Sequence, residues 1–332
     1  MDIRNYKEIR SFAFSRLENC HDRHKIVSIY AAVVIGLSVL SAGINHILGL
    51  QIDQSGGLRN MQLRTVLSTL QTMLPFIQSL VVMCIELGYV SAMLRVARGQ
   101  YASPNSLRLG FDRFWVMLRY TLLQSTLLVG FGFTSLYFGI MLFMLSPLSG
   151  SATELLMPLI SQTSALDPLI TIPDSLYNQL MVALIPAFVI CGIIFCLTGI
   201  PVLYRLRMTP YVIIDKPGIG ALAAMRTSKM MMRRNCLNLL KLDLHLWWFY
   251  LASMLASLVC YGDAILPMLG ITLPFSDDFS FYLFYGLYWI LQFAIFYFLR
   301  NGVEVAYALA YDSIRPREQD QGGVVLGNIF QM

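Results

Sequence analysis

Six apolar stretches recur along the chain, each near or above the roughly 20 residues that a helix needs to cross about 30 Å of hydrocarbon. They cover residues 26–50, 65–94, 114–146, 179–204, 243–262 and 279–300. Only 13% of the 332 residues are charged, about half the share found in soluble domains. Backbone amides find no water inside a bilayer, so each stretch has to close its hydrogen bonds within a helix. The pattern predicts an all-α, polytopic membrane helix bundle of about six transmembrane helices.

Lysine and arginine residues are unevenly distributed among the segments that separate these stretches. Of the 24 in the chain, 22 fall before the first stretch, in or around the second and fourth intervening segments, or at and after the end of the sixth. Basic residues accumulate on the cytoplasmic side of membrane proteins. The distribution therefore predicts that both termini are cytoplasmic. It also accounts for the net charge of +5 without a nucleic-acid partner.

We expect a single membrane domain over residues 1–332, made of three parts. Residues 1–25 are predicted to form a cytoplasmic amphipathic helix, residues 26–311 the six-span bundle, and residues 312–332 a cytoplasmic tail. The apolar face of the first helix comprises Ile3, Tyr6, Ile9, Ala13 and Leu17. Such a helix can lie on the inner leaflet, and the alternative is a solvated, partly frayed tail.

The segment between the fourth and fifth stretches predicts a second amphipathic helix on the cytoplasmic side. Asp215 to Gly218 form a turn, and helix-forming residues follow to about Asn235. One predicted face is basic and comprises Arg226, Lys229, Arg233 and Arg234. The opposite face comprises Ala221, Ala224, Met225, Met231 and Met232. This helix can contact anionic lipid head groups, or it can be a connector whose Met-rich face packs under the bundle; the two interpretations are compatible.

The same segment carries a recognisable motif. A Tyr-Arg pair is followed by a Pro-Tyr pair, an Asp-x-Pro turn, and a helix that ends in a Ser-x-x-Met-Met sequence before an Asp-Leu pair. The matching residues are Tyr204, Arg205, Pro210, Tyr211, Asp215, Pro217, Ser228, Met231, Met232, Asp243 and Leu244. In these residues the chain resembles the bacterial integral membrane proteins grouped as domain of unknown function 975. Arg234 stands where that family is expected to have a glycine, so we expect the helix to continue through it. The resemblance implies a fold and a bacterial cell membrane, and it carries no activity.

Two ionisable residues are predicted to lie at similar depth in neighbouring spans. Glu86 is nine residues before Arg95, and Arg119 is six residues after Arg113. A charge in hydrocarbon costs several kcal/mol, so we expect Glu86 and Arg119 to form an ion pair. The pair could belong to a proton or solute path. It could equally be a structural lock, or the two side chains could reach the inner surface separately.

The sequence contains no motif for a nucleophile with its base, a metal ligand set or a phosphate-binding loop, so we expect no cofactor and no enzyme activity. The first interpretation is a structural or accessory component of the bacterial plasma membrane, in contact with the bilayer and with an unidentified membrane-protein partner as an option. The alternative is a small transporter or channel-like protein with a polar path past Glu86. The least favoured is a lipid-modifying enzyme that uses Asp167 and Asp174 of the third intervening segment.

Overall fold

The protein is described here by a computed structural model that covers residues 5–18, 20–54, 61–146, 149–150, 174–262, 265–266 and 277–315. Within these residues the regular elements are helices and none is a strand, as the apolar stretches predict. Asp167 lies outside the described residues, and so does most of the predicted tail, residues 316–332. Asp174 begins a helix, but its side chain is also outside them.

The helices are numbered in chain order. In the first part of the chain they are α1 (Tyr6–Glu18), α2 (Arg23–Gln54), α3 (Met61–Ala97), α4 (Leu109–Asp112), α5 (Phe114–Met144) and α6 (Asp174–Leu206). In the second part they are α7 (Thr209–Asp215), α8 (Ala221–Met232), α9 (Cys236–His245), α10 (Trp247–Cys260), α11 (Asp277–Ile295) and α12 (Asn301–Ile314). A 3₁₀ turn, Pro104–Arg108, leads into α4, and a π-helical turn, Phe296–Arg300, joins α11 to α12.

Five of the described helical segments are long and apolar enough to cross a membrane. They are Arg23–Ile52, Gln62–Ala97, Phe114–Met144, Val182–Asp215 and Tyr282–Ile314. The fifth predicted stretch, 243–262, is instead interrupted: α9 and α10 meet at an angle of 62° and reach the required length only as a pair. The 14 residues of α10 rise about 21 Å, which is less than the thickness of the hydrocarbon. The described chain therefore has five candidate spans, or six if the bent pair is one.

The chain forms two compact units, Met1–Arg119 with Arg207–Met332, and Tyr120–Leu206. In the second unit α5 and α6 pack antiparallel, because Gly139 lies against Cys191 and Phe143 packs with Ala187. Phe143 and Ala187 are buried together with partly buried side chains of α6, so this unit has its own small core.

The centre of the first unit is α12, a segment that the apolar pattern places at and beyond the end of the last span. Every residue from Asn301 to Tyr311 is buried except Glu304, which is partly buried. The helical segment continues beyond the end of the sixth apolar stretch at residue 300, as far as Ile314. The hydropathy pattern misses this segment because Asn301, Glu304 and Asp312 lower its apolar content.

The first helix is amphipathic, and the described side chains of its predicted apolar face are covered by protein; Ile3 and the Tyr6 side chain lie outside the described residues. Ile9 and Ala13 are fully buried and Leu17 nearly so. The helix packs against α12, α3 and α9, and Phe14 lies directly over Gly302. Protein contacts therefore cover Ile9, Ala13 and Leu17, three of the residues that the sequence pattern offers to a membrane.

Candidate functional site

Four polar residues of α12 and the turn before it share one helical face. Arg300, Glu304, Tyr307 and Tyr311 follow one another at spacings of three or four residues, which places their side chains along one stripe. Each side chain of this stripe bonds to another element of the first unit. The stripe organises three clusters of charged and tyrosine side chains, which together form the candidate site. Periodic polar residues in a segment otherwise rich in Ala, Val and Leu were the available sequence signal, and the hydropathy analysis overlooked it.

The first cluster is centred on Arg300. Its guanidinium donates to Oε1 of Glu86 at 2.6 Å, and its Nε lies 4.0 Å from Oε1 of Glu304. The rings of Tyr30, Tyr89 and Phe296 surround it, with centroids 4.8–5.8 Å from the guanidinium carbon. Arg300 is the last residue of the π-helical turn, a type of distortion that often occurs at functional sites because it redirects a side chain. One guanidinium thus lies between two carboxylates within an aromatic enclosure.

Glu86 therefore has a different partner from the one predicted. The sequence argument pairs it with Arg119, but in the structure it binds Arg300, and the Arg119 side chain is exposed on α5. The sequence indicates how far each charge lies along its own helix, but it does not indicate which helices are neighbours. The predicted partner is therefore wrong.

Tyrosine hydroxyls complete the hydrogen bonding around this cluster. The Tyr211 hydroxyl donates to Oε2 of Glu304 at 3.1 Å, and the buried Tyr89 hydroxyl donates to Oδ1 of Asn301. The rings of Tyr30 and Tyr89 stack at 4.1 Å. The polar atoms of this cluster thus bond to one another across α3, α7 and α12, as groups removed from water must do.

The second cluster lies where α3, α7 and α12 end. Arg98 donates to both carboxylate oxygens of Asp312, with the shortest distance 2.7 Å, and to Asp215 at 2.9 Å. Asp215 also binds Arg315 at 3.0 Å and accepts the Tyr311 hydroxyl at 3.0 Å. Hydrogen bonding to Asp312 raises the pKa of the Arg98 guanidinium, which lies beyond the end of the α3 span. The bonds of Arg98 and Asp215 thus connect the ends of α3, α7 and α12.

The third cluster joins the start of the α7 segment to α9, α10 and α12. Arg207 binds Asp243 and donates to the Tyr250 hydroxyl at 3.0 Å, while its guanidinium lies 4.3 Å from the ring centroid of Tyr307. The Tyr307 hydroxyl donates to the other oxygen of Asp243 and lies 2.6 Å from the Tyr250 hydroxyl. Asp243 is thereby held from two sides close to the bend between α9 and α10.

Three residues of the sequence motif belong to these clusters: Tyr211 to the first, Asp215 to the second and Asp243 to the third. The motif therefore positions the partners of α12. Pro210 begins α7, and Pro217 precedes Gly218, whose φ of +93° is readily adopted by glycine. Tyr204 and Arg205 are in the last turns of α6 and belong to the second unit.

The structure places the two faces of α8 on different sides. The four predicted basic residues are all exposed: Arg226 and Lys229 of α8, and Arg233 and Arg234 of the turn that follows it. The buried residues of α8 are Ala221, Ala224, Met225, Ser228, Met231 and Met232. The expectation that the helix continues through Arg234 is wrong, since α8 ends at Met232. Asn235 ends it without a glycine: its backbone N–H bonds to the Met232 carbonyl at 3.0 Å and its side chain to the Met231 carbonyl at 2.9 Å, which satisfies the last carbonyls.

The described residues define a class, the all-helical proteins whose long apolar helices are compatible with a membrane. The family model described as "Protein of unknown function (DUF975)" matches residues 1–318, and the chain belongs to this family. The resemblance noted at the motif is therefore confirmed over nearly the whole chain. No curated protein and no solved structure matches it.

Proposed function

We propose that the protein is a non-catalytic structural or accessory component of the bacterial plasma membrane. The observation that carries the proposal is the pairing of the clusters around α12. Arg300, Arg98 and Arg207 each bind a carboxylate at 2.9 Å or less. Charges that pair across helices favour one arrangement of those helices, which suits a structural role.

Six spans with both termini in the cytoplasm agree with the direction of the helices. Glu86 pairs with Arg300 and Arg98 with Asp312, so α3 and α12 run parallel. The antiparallel helices α5 and α6 would return the chain to the side from which it left. The chain must then cross the membrane once more before α11 if α12 is to run parallel to α3. In this arrangement the bent pair of α9 and α10 makes that crossing. This parity supports the six-span arrangement over the five-span one.

This topology can be tested by labelling intact cells with a maleimide that does not cross membranes. Lys229→Cys on α8 should remain unlabelled until the cells are opened, because we place α8 in the cytoplasm. Gln51→Cys, near the exposed end of α2, should be labelled in intact cells. Labelling of both variants is compared with the background from the native cysteines. The reverse result would exclude the proposed orientation.

The basic face of α8 is proposed to contact anionic lipid head groups of the inner leaflet. Arg226, Lys229, Arg233 and Arg234 are exposed, and the apolar face of the helix is already covered by protein. Attraction to lipid would therefore be electrostatic and should weaken with salt, with each basic residue worth about 1 kcal/mol near an anionic surface. An accessory role could use the same face for a membrane-protein partner.

A second candidate function is transport along a polar path past Glu86. The observation that favours it is the position of Arg300 between two carboxylates at a π-helical turn, because ionisable residues inside a helix bundle often mark an ion or proton path. In addition, protein leaves 45% of the Glu86 side chain uncovered.

Proton flux distinguishes the two functions. The full chain is reconstituted into liposomes that contain a pH-sensitive dye, and a proton gradient is imposed. We expect the same rate as in protein-free liposomes for the wild type, for Glu86→Gln and for the control Glu8→Gln, whose side chain is exposed on α1. Flux above the protein-free rate that disappears in Glu86→Gln and persists in Glu8→Gln would overturn the accessory role and support transport.

A further inference from the structure

A cavity of about 230 Å³ lies in the first unit, away from the three clusters. It opens between the end of α1, the turn into α2 and the segment that follows α3. The lining residues that matter for ligand chemistry are Arg16, Cys20, His21, Asp22, Gln100 and Tyr101. The ends of two candidate spans, Arg23–Ile52 and Gln62–Ala97, border the cavity. In the proposed topology this is the level of the lipid head groups.

The cavity contains a cation without an acidic partner. Arg16 forms no ion pair with any residue that the structure describes, and its guanidinium is held 4.8 Å from the ring centroid of Phe12. Gly99, with a φ of +70°, provides the room for it, because a Cβ there would overlap the guanidinium. The fold therefore positions Arg16 at the cavity without neutralising it.

The one acid among the lining residues is already engaged. Asp22 accepts a hydrogen bond from the Tyr101 hydroxyl at 2.5 Å and pairs with Lys25 at 3.1 Å. His21 is exposed and Gln100 offers an amide, so both can donate to a ligand. The N-terminus of α2, with its positive end of the helix dipole, begins directly after Asp22. The donors and the electrostatic potential of the cavity both favour an anion.

We propose that this cavity binds a phosphoryl group, with Arg16 as the principal ligand and His21 and Gln100 as further donors. A guanidinium recognises phosphate oxygens through two parallel hydrogen bonds. Pockets for drug-sized ligands measure about 300–1,000 Å³, so a cavity of 230 Å³ suits a phosphate with a small substituent better than a large metabolite. Two sources carry such a group: the head group of an anionic phospholipid and a soluble phosphate monoester.

This site is independent of the accessory role and of the ion pairs around α12, because it shares no residue with the clusters. Two histidines that are close in sequence lie in different environments. His21 lines the cavity, whereas His24 bonds to the Tyr297 hydroxyl at 2.7 Å.

Cys20 is a built-in reporter for occupancy, since it is one of the lining residues and is partly buried. Burial raises the pKa of the Cys20 thiol, so alkylation should be measured above neutral pH, where more thiolate is present. A bound phosphoryl group would exclude the reagent. At a ligand concentration ten times Kd only about one site in eleven is empty, and the alkylation rate should fall about tenfold.

The experiment uses the full chain in nanodiscs and measures alkylation of Cys20 by peptide mass spectrometry. One arm compares phosphatidylcholine nanodiscs with and without phosphatidic acid. The other adds inorganic phosphate or glycerol phosphate to nanodiscs of phosphatidylcholine alone. Cys236, at the start of α9, is measured in the same digest to correct for loss of reagent.

The proposal expects protection of Cys20 in at least one arm, with the loss of protection in Arg16→Gln. Lys7→Gln removes the same charge from an exposed position of α1 and should be protected like the wild type. Protection only by phosphatidic acid assigns the site to a lipid, and protection by the soluble phosphates assigns it to a soluble ligand. If Arg16→Gln does not fold, Gln100→Leu should weaken protection instead. Equal alkylation in both arms for the wild type, or undiminished protection in Arg16→Gln, would overturn the proposal.

Discussion

Glu86 and Arg300 are 214 residues apart in sequence and 2.6 Å apart in space, and Arg98 and Asp312 are joined by the same separation of 214 residues. Two ion pairs with one sequence offset mean that α3 and α12 lie side by side, parallel and in a single register. The Tyr89 hydroxyl bonds to Asn301 between these pairs and strengthens the same alignment. A helix that ends the described chain is thereby fixed along its length to one near its beginning.

The first prediction concerns the Glu86–Arg300 pair. Removing either side chain leaves its partner uncompensated, so Glu86→Ala or Arg300→Ala should each lower the free energy of unfolding by about 1–3 kcal/mol. The value lies below that of a fully buried pair because 45% of the Glu86 side chain is exposed. The measurement is a denaturant titration of the purified chain in detergent.

The double variant decides whether the two residues interact. Because each single variant already breaks the pair, the loss in Glu86→Ala/Arg300→Ala should be smaller than the sum of the single losses. Arg119→Ala is the control, since Arg119 is exposed, and it should change stability by less than about 0.5 kcal/mol. Strictly additive losses would show that the pair contributes no coupling.

A second prediction separates the shape of Arg98 from its charge. Arg98 binds both oxygens of Asp312 and also Asp215, which requires the planar, forked guanidinium. Arg98→Lys keeps the charge but loses the fork and should cost about 1–2 kcal/mol, seen as a lower melting temperature. Arg95→Lys, at an exposed position one turn earlier on α3, should have little effect. Equal melting temperatures for both variants would mean that charge alone is sufficient at residue 98.

The helices and the family could be predicted from the sequence, while the partners in the clusters could not. Hydropathy identifies spans because a bilayer requires about 20 apolar residues whichever helices are neighbours. Pairing Glu86 with Arg300 requires knowing that α3 and α12 are adjacent, which depends on packing of residues far apart in sequence. Arg119 was chosen because its predicted depth in the membrane matches that of Glu86, and depth is all that the sequence of a single helix indicates. The bend at Leu246 was equally hidden, because neither α9 nor α10 contains the proline or glycine that usually marks a bend.

A third prediction follows from the bond between Asp22 and Tyr101, both outside the candidate spans. The Tyr101 hydroxyl, and then Lys25, lower the pKa of the Asp22 carboxyl below its ordinary 3.8. A lowered pKa means that the folded protein favours the carboxylate, so this stabilisation is complete above about pH 4 and is lost as pH falls through the folded pKa. Tyr101→Phe should therefore melt below the wild type at neutral pH, and the difference should shrink in acid.

The control for this pH dependence is Asp22→Asn, which has no carboxyl to titrate. In that background Tyr101→Phe should shift the melting temperature by an amount that does not change between neutral pH and acid. The same bond raises the pKa of the Tyr101 phenol above its ordinary 10.0, so its contribution is complete below about pH 10 and is lost as pH rises through the folded pKa. A difference between wild type and Tyr101→Phe that stays constant from neutral pH into acid would exclude the bond.

The last prediction uses glycines at which α3 contacts the segment that leads into α5. Gly110 of α4 lies against the backbone of Cys84, and Gly88 of α3 lies against the backbone of Leu107, so a Cβ at either glycine would overlap main-chain atoms. Backbone cannot rotate away as a side chain does, so Gly110→Ala should cost about 1–3 kcal/mol or prevent folding. Gly36→Ala is the matched control: no atom lies within 4 Å of the new Cβ, and alanine favours a helix over glycine by roughly 0.5–1 kcal/mol. Melting temperatures in detergent should therefore fall for Gly110→Ala and stay level or rise for Gly36→Ala, and an undiminished value for Gly110→Ala would contradict the close contact of α3 with α4.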